Sequence, residues 1–240
     1  MREFVFTVKY DRGIDPLTDR FIDHPSMLAK SLSCCVTERS MWRVDRITGP
    51  TEALSALESV YLDTDHCNEC VGGSDCRSRR DYEILETNSG TRTIYAYRSE
   101  MEGCHSIPYY AVRLFGDGLL FQTTRRENEY RWRILMREDV AVGALYDRIQ
   151  RNLRSGVRIE LDQLGTTTRW HEPTITVADL PSAQREALIA AAEHGYYEMP
   201  RKTSVAEVAE DVGVPRSTLQ YRLQRAESWL VTRFSDVLSF

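Results

Sequence analysis

The sequence predicts an α+β fold, with a sheet-forming region first and an all-α region at the end. Short segments of alternating apolar and polar residues, separated by turn residues, recur up to residue 165 and are typical of antiparallel strands. From Leu180 onward, apolar residues recur at three- and four-residue steps, which indicates helices. We therefore expect an α+β domain over residues 1–165, a linker over 166–179 and a helical domain over 180–240.

The first sixty residues predict the element order β-α-β-β-α. Strands are expected over 2–10, 27–36 and 41–47, and helices over 17–22 and 51–62. This order is typical of a ferredoxin-like unit, in which helices cover an antiparallel sheet. We therefore expect an N-terminal ferredoxin-like antiparallel sheet region.

A polar loop rich in Gly and Cys, over residues 63–80, interrupts this pattern. The chain then predicts two hairpins, a further strand, a helix and a closing strand. The hairpins are expected over 81–98 and 107–124, the strand over 129–135, the helix over 137–153 and the closing strand over 157–164. Both halves of the region have the same α+β character, although no sequence repeat links them.

Two helices joined by a tight turn are predicted near the end of the chain. Ser204 and Glu207 have the spacing of a capping box, which marks the start of the first helix. Gly213 suits the turn because it adopts positive φ without penalty, and Pro215 suits the first turn of the second helix. The pattern predicts a helix-turn-helix, whose second helix enters the major groove of DNA.

The second of these helices carries polar side chains opposite its apolar stripe. Arg216 and Gln220 can make paired hydrogen bonds to base edges, and Ser217 is adaptable. Charged side chains nearby suit phosphate groups, which position a protein without reading sequence. The DNA-binding candidates are Lys202, Arg216, Ser217, Thr218, Gln220, Tyr221, Arg222 and Arg225. The alternative is a helical hairpin that only packs.

Charge is unevenly distributed along the chain. The 240 residues carry 31 Lys and Arg against 36 Asp and Glu, a net charge of −5. The segment from Arg201 to Arg233 carries six basic and four acidic residues, a local charge of +2, so phosphate attraction is expected to be modest and salt-sensitive. The sequence contains neither a long apolar run nor a signal peptide, so we expect a cytoplasmic protein without a membrane partner. We find no catalytic constellation and expect no enzyme.

The cysteine-rich loop is a candidate metal site. Cys67 and Cys70 are separated by two residues, a spacing that lets two thiolates turn onto one ion, and Cys76 follows in the same loop. A fourth ligand must come from elsewhere: Cys35 or Cys34 is the first choice, and Cys104, His66 and His105 are the alternates. All-thiolate ligation suits zinc or an iron–sulfur cluster, and the sequence does not choose between them.

Two other interpretations of these cysteines stay open. They can be buried and inert, because free cysteine packs like a small hydrophobic residue, and this is the better interpretation for Cys34. Asn68, Glu69 and their polar neighbours argue against it for the loop, which we expect to lie outside the core. Alternatively, Cys67 and Cys70 form a redox-active thiol pair without metal.

The C-terminal region resembles the haloarchaeal bacterioopsin-activator type of helix-turn-helix regulators. The segments that carry the resemblance are 180–188, 195–201, 205–214 and 217–226. The preceding α+β region resembles the domain that accompanies this helix-turn-helix in the family. Some members carry a Cys-x-x-Cys-plus-Cys cluster and are linked to oxygen- or redox-responsive transcription. Cys67, Cys70 and Cys76 match that cluster, with Cys35 as the plausible upstream partner.

The resemblance implies a sequence-specific transcription regulator. Its cysteine-bearing domain senses redox state, oxygen or metal, and its C-terminal helices bind double-stranded promoter DNA, expected as a homodimer because half-sites are usually paired. One alternative is a regulator whose α+β domain binds a small molecule or a protein and whose zinc is purely structural. The other is a thiol oxidoreductase, although Cys67 and Cys70 do not follow a strand and open a helix as that chemistry usually requires.

Overall fold

Eight strands of the N-terminal region form one antiparallel sheet. The computed structural model describes residues 1–73, 76–101, 103–137, 141–166 and 180–238. The strands are β1 (Arg2–Tyr10), β2 (Leu28–Val36), β3 (Ser40–Thr48), β4 (Arg79–Asn88), β5 (Thr91–Ser99), β6 (Leu120–Arg126), β7 (Glu129–Met136) and β8 (Val157–Thr166). The helices among them are α1 (Pro16–Asp23), α2 (Thr51–Tyr61), α3 (Ile107–Phe115) and α4 (Val142–Arg151). The expected α+β class is confirmed.

The strand order explains how this sheet is built from two repeated units. Along the chain, β1 to β4 with α1 and α2 form one β-α-β-β-α-β unit, and β5 to β8 with α3 and α4 form a second. The order in the sheet is β4-β5-β3-β2-β6-β7-β1-β8. β1 therefore lies inside the second half and β5 inside the first. Each half has the strand order of a ferredoxin-like unit, but the two units have exchanged their first strands.

The hairpin expected over 107–124 is wrong in its first half, because Ile107–Phe115 is the helix α3. Pro108 occupies the first turn of this helix, where its missing N–H is not needed. The residues from Ile107 to Val112 are all buried, so neither a two-residue nor a 3.6-residue period is visible in the sequence. A short apolar run of this kind does not distinguish a buried strand from a buried helix.

One layer of helices covers one face of the sheet. Leu17 and Phe21 of α1 pack with Leu54 and Leu57 of α2, and a second cluster joins α3 and α4 to β1 and β7. The strand β3 contributes Met41 to one cluster and Ile47 to the other. These two residues lie an even number of positions apart and therefore share a face.

The C-terminal helices are α5 (Ser182–Glu193), α6 (Val205–Asp211) and α7 (Arg216–Leu238). The chain divides into two units, Met1–Thr168 and Arg169–Phe240. The linker expected over 166–179 lies outside the described residues from residue 167 on. None of the helices in the described part of the chain has the length and apolar character needed to cross a bilayer.

The three C-terminal helices share one small core, made of Ala187, Ala191, Val208, Ala209, Leu219 and Leu223. The predicted capping box is present: Ser204 Oγ accepts from the Glu207 backbone N–H, and the Glu207 carboxylate accepts from the Ser204 N–H at 2.7 Å. Gly213 has φ of +69°, and Val214 N then donates to Ala209 O at 3.0 Å. The turn that orients α7 therefore depends on a glycine.

Candidate metal centre and nucleic-acid interface

Four cysteine sulfurs lie together at one end of the sheet. Cys67, Cys70 and Cys76 come from the loop between α2 and β4, and their Sγ atoms lie within 4.8 Å of one another. The Cys67 and Cys70 sulfurs are 3.1 Å apart. Cys104, from the turn between β5 and α3, places its Sγ 3.8 Å from that of Cys70. Two loops that are distant in sequence therefore supply four thiols to one place.

The pairing of β4 with β5 brings these two loops together. Arg79, at the start of β4, pairs with Ser99, at the end of β5, so the loop that enters β4 runs beside the loop that leaves β5. Cys70 forms an antiparallel bridge with Ser106. Gly72 passes so close to this second loop that a Cβ atom built on it would lie 2.9 Å from the Cβ of His105. A side chain at position 72 would therefore push the two loops apart.

Neither cysteine of β2 lies with this group. Cys35 is exposed, and its Sγ contacts Ser33 Oγ at 4.0 Å. Cys34 is buried in the core, and burial raises the pKa of its thiol to about 12. The sequence indicates Cys104 only as an alternate ligand, because no local motif surrounds it and the pairing of β4 with β5 brings it to the loop.

The two histidine alternates make other contacts. His66 Nε2 lies 3.2 Å from Asp15 Oδ1. Burial would raise the pKa of Asp15, but hydrogen bonds with His66 and Thr18 and the charge of Arg125 hold it well below its ordinary value. His105 uses its carbonyl to accept from the Val71 N–H at 3.2 Å, and its ring lies edge-on to a tyrosine.

Hydrogen bonds among the four thiols change their acidity. Those with Cys70 and Cys76 lower the pKa of the Cys104 thiol below its ordinary value. The bond with Cys104 raises the pKa of Cys76, but those with Cys67 and Cys70 outweigh it and lower the value to about 5. Hydrogen bonds with Cys104, Cys67 and Cys76 raise the pKa of the Cys70 thiol. The cluster therefore contains acidic thiols, which are good metal ligands once deprotonated.

Two arginines face the cluster from neighbouring strands. Arg98 of β5 and Arg80 of β4 are cross-strand partners. Arg98 Nη1 donates to Cys67 Sγ at 2.8 Å, and Arg80 Nη2 donates to the Cys76 carbonyl at 2.7 Å. Positive charge beside thiolates stabilises their anionic form.

The two residues between Cys67 and Cys70 are buried. The polar sequence of this loop predicts that it lies outside the core, but Asn68 and Glu69 are each only 4% exposed. Asn68 Nδ2 donates to the Tyr61 carbonyl at 2.8 Å. The Glu69 carboxylate accepts from Arg43 at 2.8 Å. The expectation fails here because buried partners satisfy both polar side chains.

Glu69 connects the cysteine turn to a polar network under the helices. Its partner Arg43 also donates to Asp45 at 2.6 Å, to the Tyr130 hydroxyl at 2.7 Å and to the Thr123 hydroxyl at 3.1 Å. Arg43 and Asp45 lie on β3, whereas Thr123 and Tyr130 lie on β6 and β7. The network therefore links both halves of the sheet to the turn that carries two of the cysteines.

The DNA-binding candidates lie on the C-terminal unit. Along α7, the apolar residues Leu219, Leu223 and Ala226 are buried, and the two leucines lie in the core shared with α5 and α6. Arg216, Ser217, Gln220, Tyr221 and Arg225 are exposed, whereas Thr218 and Arg222 are half-buried. Lys202 is exposed before α6 and forms an ion pair with Glu198 at 2.6 Å. Most of the predicted residues thus share one open helix face.

Comparisons with known proteins match both units. Residues 3–170 match the family HVO_2928_N, N-terminal, and residues 180–232 match HTH_10, the HTH DNA binding domain. The second match and the relatives below confirm the predicted helix-turn-helix and the resemblance to haloarchaeal regulators.

Two relatives from Haloferax volcanii are transcription factors by name. The chain is 40% identical over 79 residues to the dimethyl sulfoxide reductase transcriptional activator, and 41% identical over 59 residues to the transcriptional regulator NarO. The matched segments cover 33% and 25% of this chain. They span only 37% and 28% of those two relatives.

Proposed function

Because this chain belongs to the HVO_2928_N family and ends in an HTH DNA binding domain, we propose that it regulates transcription in response to redox state or metal. The observation that carries this proposal is that one chain contains both an exposed, polar helix face and a group of four cysteine sulfurs, two of them buried and two half-buried. The named relatives support the transcriptional role.

In the proposed DNA complex, the first turns of α7 lie in the major groove. Arg216 and Gln220 are exposed one turn apart, so both can reach base edges, with Ser217 between them. Arg225 is exposed farther along and suits a phosphate, as does Lys202 once it leaves Glu198. A homodimer would place two such helices on two half-sites, whose centres lie about 10 base pairs apart or a multiple of that distance.

We expect base-reading and phosphate-binding variants to behave differently. The binding site is first selected from random duplex DNA with the full-length protein. Arg216→Ala and Gln220→Ala should each weaken binding to the selected site by about 1–3 kcal/mol, with little change on unrelated duplex. Arg225→Ala should weaken binding to both DNAs. It should also reduce the slope of the logarithm of the binding constant against the logarithm of the salt concentration by about one.

Gel-shift titrations at several salt concentrations measure the affinity of each variant for both DNAs and the salt dependence of that affinity. An equal loss on both DNAs for Arg216→Ala and Gln220→Ala would contradict base reading by this face. If the wild-type protein selects no sequence at all, the regulatory proposal itself fails.

We propose Cys67, Cys70, Cys76 and Cys104 as the ligands of a metal centre. A tetrahedral ion with metal–sulfur distances of about 2.3 Å places its sulfurs about 3.8 Å apart. The separation of 3.8 Å between the Cys70 and Cys104 sulfurs matches that distance. The sulfurs of Cys67, Cys70 and Cys76 lie within 4.8 Å of one another, and the Cys67–Cys70 separation of 3.1 Å is shorter than a bound ion would set. An iron–sulfur cluster interposes several atoms between its thiolates, so this spacing favours a single ion such as zinc.

The four thiolates would join the two loops when an ion is bound, and their oxidation would separate them. Cys67 and Cys70 are the closest pair, at 3.1 Å. A peroxide would take two electrons from these two thiolates and be reduced at its O–O bond to water or an alcohol, while one S–S bond would form between the two sulfurs. Cys67 and Cys70 could then no longer hold an ion together with Cys104, and the loop between α2 and β4 would lose that anchor. This sequence of events supplies a redox signal from the chain's own residues.

Anaerobic purification, followed by an absorption spectrum and metal analysis on one sample, tests the centre. We expect a colourless protein with one zinc ion per chain, which is released when the thiols are oxidised. A brown protein with iron and sulfide that bleaches in air would overturn the single-ion assignment but keep the sensor. Zinc that oxidants do not release would make the site structural, and a metal-free protein would overturn the ligand assignment.

A further inference from the structure

Arg98 is enclosed on all sides beside the four-cysteine site. Its side chain has 0% exposure, and it lies on β5 with its guanidinium directed at the turn between Cys67 and Cys70. Nη1 donates to Cys67 Sγ at 2.8 Å, and Nη2 donates to the Tyr82 hydroxyl at 3.2 Å. Its Nε has no hydrogen-bond partner among the described residues. Among the described residues, the sulfur of Cys67 is therefore the closest group to Arg98 that can carry a negative charge.

Among the residues that the structure describes, the carboxylate nearest to Arg98 already forms an ion pair with another arginine. Glu69 lies 3.9 Å from Arg98 but 2.8 Å from Arg43, to which it is hydrogen-bonded. A buried cation is destabilising unless an anion compensates it, and removing one partner of a buried pair leaves the other charge uncompensated. Among the described residues, the cysteine cluster is therefore the group placed to supply Arg98 with a further anion.

The charge of the proposed centre matches this need. Four thiolates around a divalent ion leave a net charge of −2 on the site. Arg98 and its cross-strand partner Arg80 bring two positive charges to the same face of the sheet. Arg80 is partly exposed and bonds to a carbonyl, so water screens it, whereas Arg98 is buried and bonds to a ligand sulfur. Arg98 is therefore the stronger of the two compensating charges.

We propose that Arg98 is a positioning residue of the four-cysteine site: it orients Cys67 and compensates the charge of the metal-bound thiolates. This inference rests on the proposed metal centre. Arg98 donates a buried hydrogen bond to Cys67, so the affinity for an ion would depend on a side chain that is not itself a ligand. Groups that are hydrogen-bonded to metal ligands commonly orient those ligands in this way. Without an ion, Glu69 would be the anionic neighbour left to Arg98 among the described residues, and Arg98 would compete for it with Arg43. The state of the cysteines is thereby conveyed to the polar network under the helices.

The strand β5 offers a matched control. Arg92 lies on the same strand and the same face as Arg98, and its side chain is only 6% exposed. It pairs with Glu58 of α2 instead of a cysteine. Replacing either arginine removes one buried guanidinium from β5, but only one of the two replacements touches the site. A comparison of the two variants separates metal positioning from the general cost of losing a buried charge.

The test uses full-length protein, reduced and freed of metal under anaerobic conditions. Zinc affinity is measured by competition with a chromophoric chelator, and the ligand set is read from the absorption of the Co²⁺ complex. We expect Arg98→Met to lower zinc affinity at least tenfold while the Co²⁺ spectrum keeps its four-thiolate character. Arg98→Lys should fall between Arg98→Met and wild type, and Arg92→Met should stay within about twofold of wild type.

Wild-type zinc affinity in a folded Arg98→Met protein would overturn the proposal. An equal loss in Arg92→Met and Arg98→Met would also overturn it, since the effect would then be general. If far-UV circular dichroism shows Arg98→Met to be unfolded, Arg98→Lys is compared with Arg92→Lys, and equal zinc affinities overturn it. A wild-type protein that takes up neither Zn²⁺ nor Co²⁺ is recognised before any variant is made, and it refutes the metal centre itself.

Discussion

Cys104 shows how much a single residue depends on its tertiary setting. It lies outside the cysteine-rich loop, on the turn between β5 and α3, yet its sulfur is 3.8 Å from that of Cys70. Cys35, which the resemblance favoured as the upstream ligand, is exposed on β2 and contacts Ser33. Cys104 and Cys35 can therefore be compared by the same substitution, because Cys104 lies beside the proposed centre and Cys35 lies away from it.

We expect Cys104→Ser to impair metal binding and Cys35→Ser to leave it unchanged. A serine hydroxyl is a poor ligand for zinc compared with a thiolate, so the site loses one of its four donors. Zinc retained after dialysis against a chelator should fall well below one ion per chain in Cys104→Ser. The opposite pattern, with loss only in Cys35→Ser, would restore Cys35 as the fourth ligand.

Among the elements, α6 depends most visibly on its cap. It contains only seven residues, so most of its backbone N–H groups belong to its first turn and need partners from outside the helix. Ser204 and Glu207 satisfy two of them reciprocally. Because α6 supports α7 from behind, this cap also holds the proposed recognition helix in place.

We expect Ser204→Ala to destabilise the C-terminal unit by about 1 kcal/mol, the usual cost of losing an N-cap side chain. Hydrogen exchange of the α6 and α7 amides in the full-length protein measures this local stability. Ser182→Ala is the control, because Ser182 is exposed at the start of α5 and Pro181 occupies the N-cap position there. Similar exchange in the two variants would mean that the capping box contributes nothing to the stability of α6.

For the molecule as a whole, the exchanged first strands are the most consequential feature. β1 pairs with β7 and β8, and β5 pairs with β3 and β4, so each half of the sheet contains a strand from the other half of the chain. Neither repeat can complete its sheet without the other. We therefore expect the eight-stranded domain to unfold as one cooperative unit.

Core truncations in the two halves test this cooperativity. Leu57 lies in α2 over the first half and Trp132 lies on β7 in the second, and both are fully buried. Leu57→Ala should cost about 2–5 kcal/mol and Trp132→Ala about 3–5 kcal/mol. Each should speed hydrogen exchange in both β3 and β7, with the amides of α6 and α7 as an internal reference. Faster exchange confined to the mutated half would show that the halves unfold separately.

Local patterns in the sequence were sufficient for most elements of this fold and for the whole DNA-binding motif. The capping box at Ser204, the turn at Gly213 and the polar face of α7 involve neighbours within a few residues, so their physics is visible in the chain itself. The helix α3 was missed because a run of buried apolar residues carries no period. The burial of Glu69 was missed because its partner Arg43 comes from a distant strand.

The repeated units and the composition of the metal site follow from strand pairing between distant parts of the chain. The cysteine spacing predicts that Cys67, Cys70 and Cys76 lie together, because residues so close in the sequence can reach one ion without any distant strand pairing. The position of Cys104 depends on the register of β4 against β5, and that register depends on how both strands pack beneath the helices. The exchange of first strands likewise cannot be predicted from the sequence of either unit, since each has the β-α-β-β-α-β order of a ferredoxin-like unit without exchange.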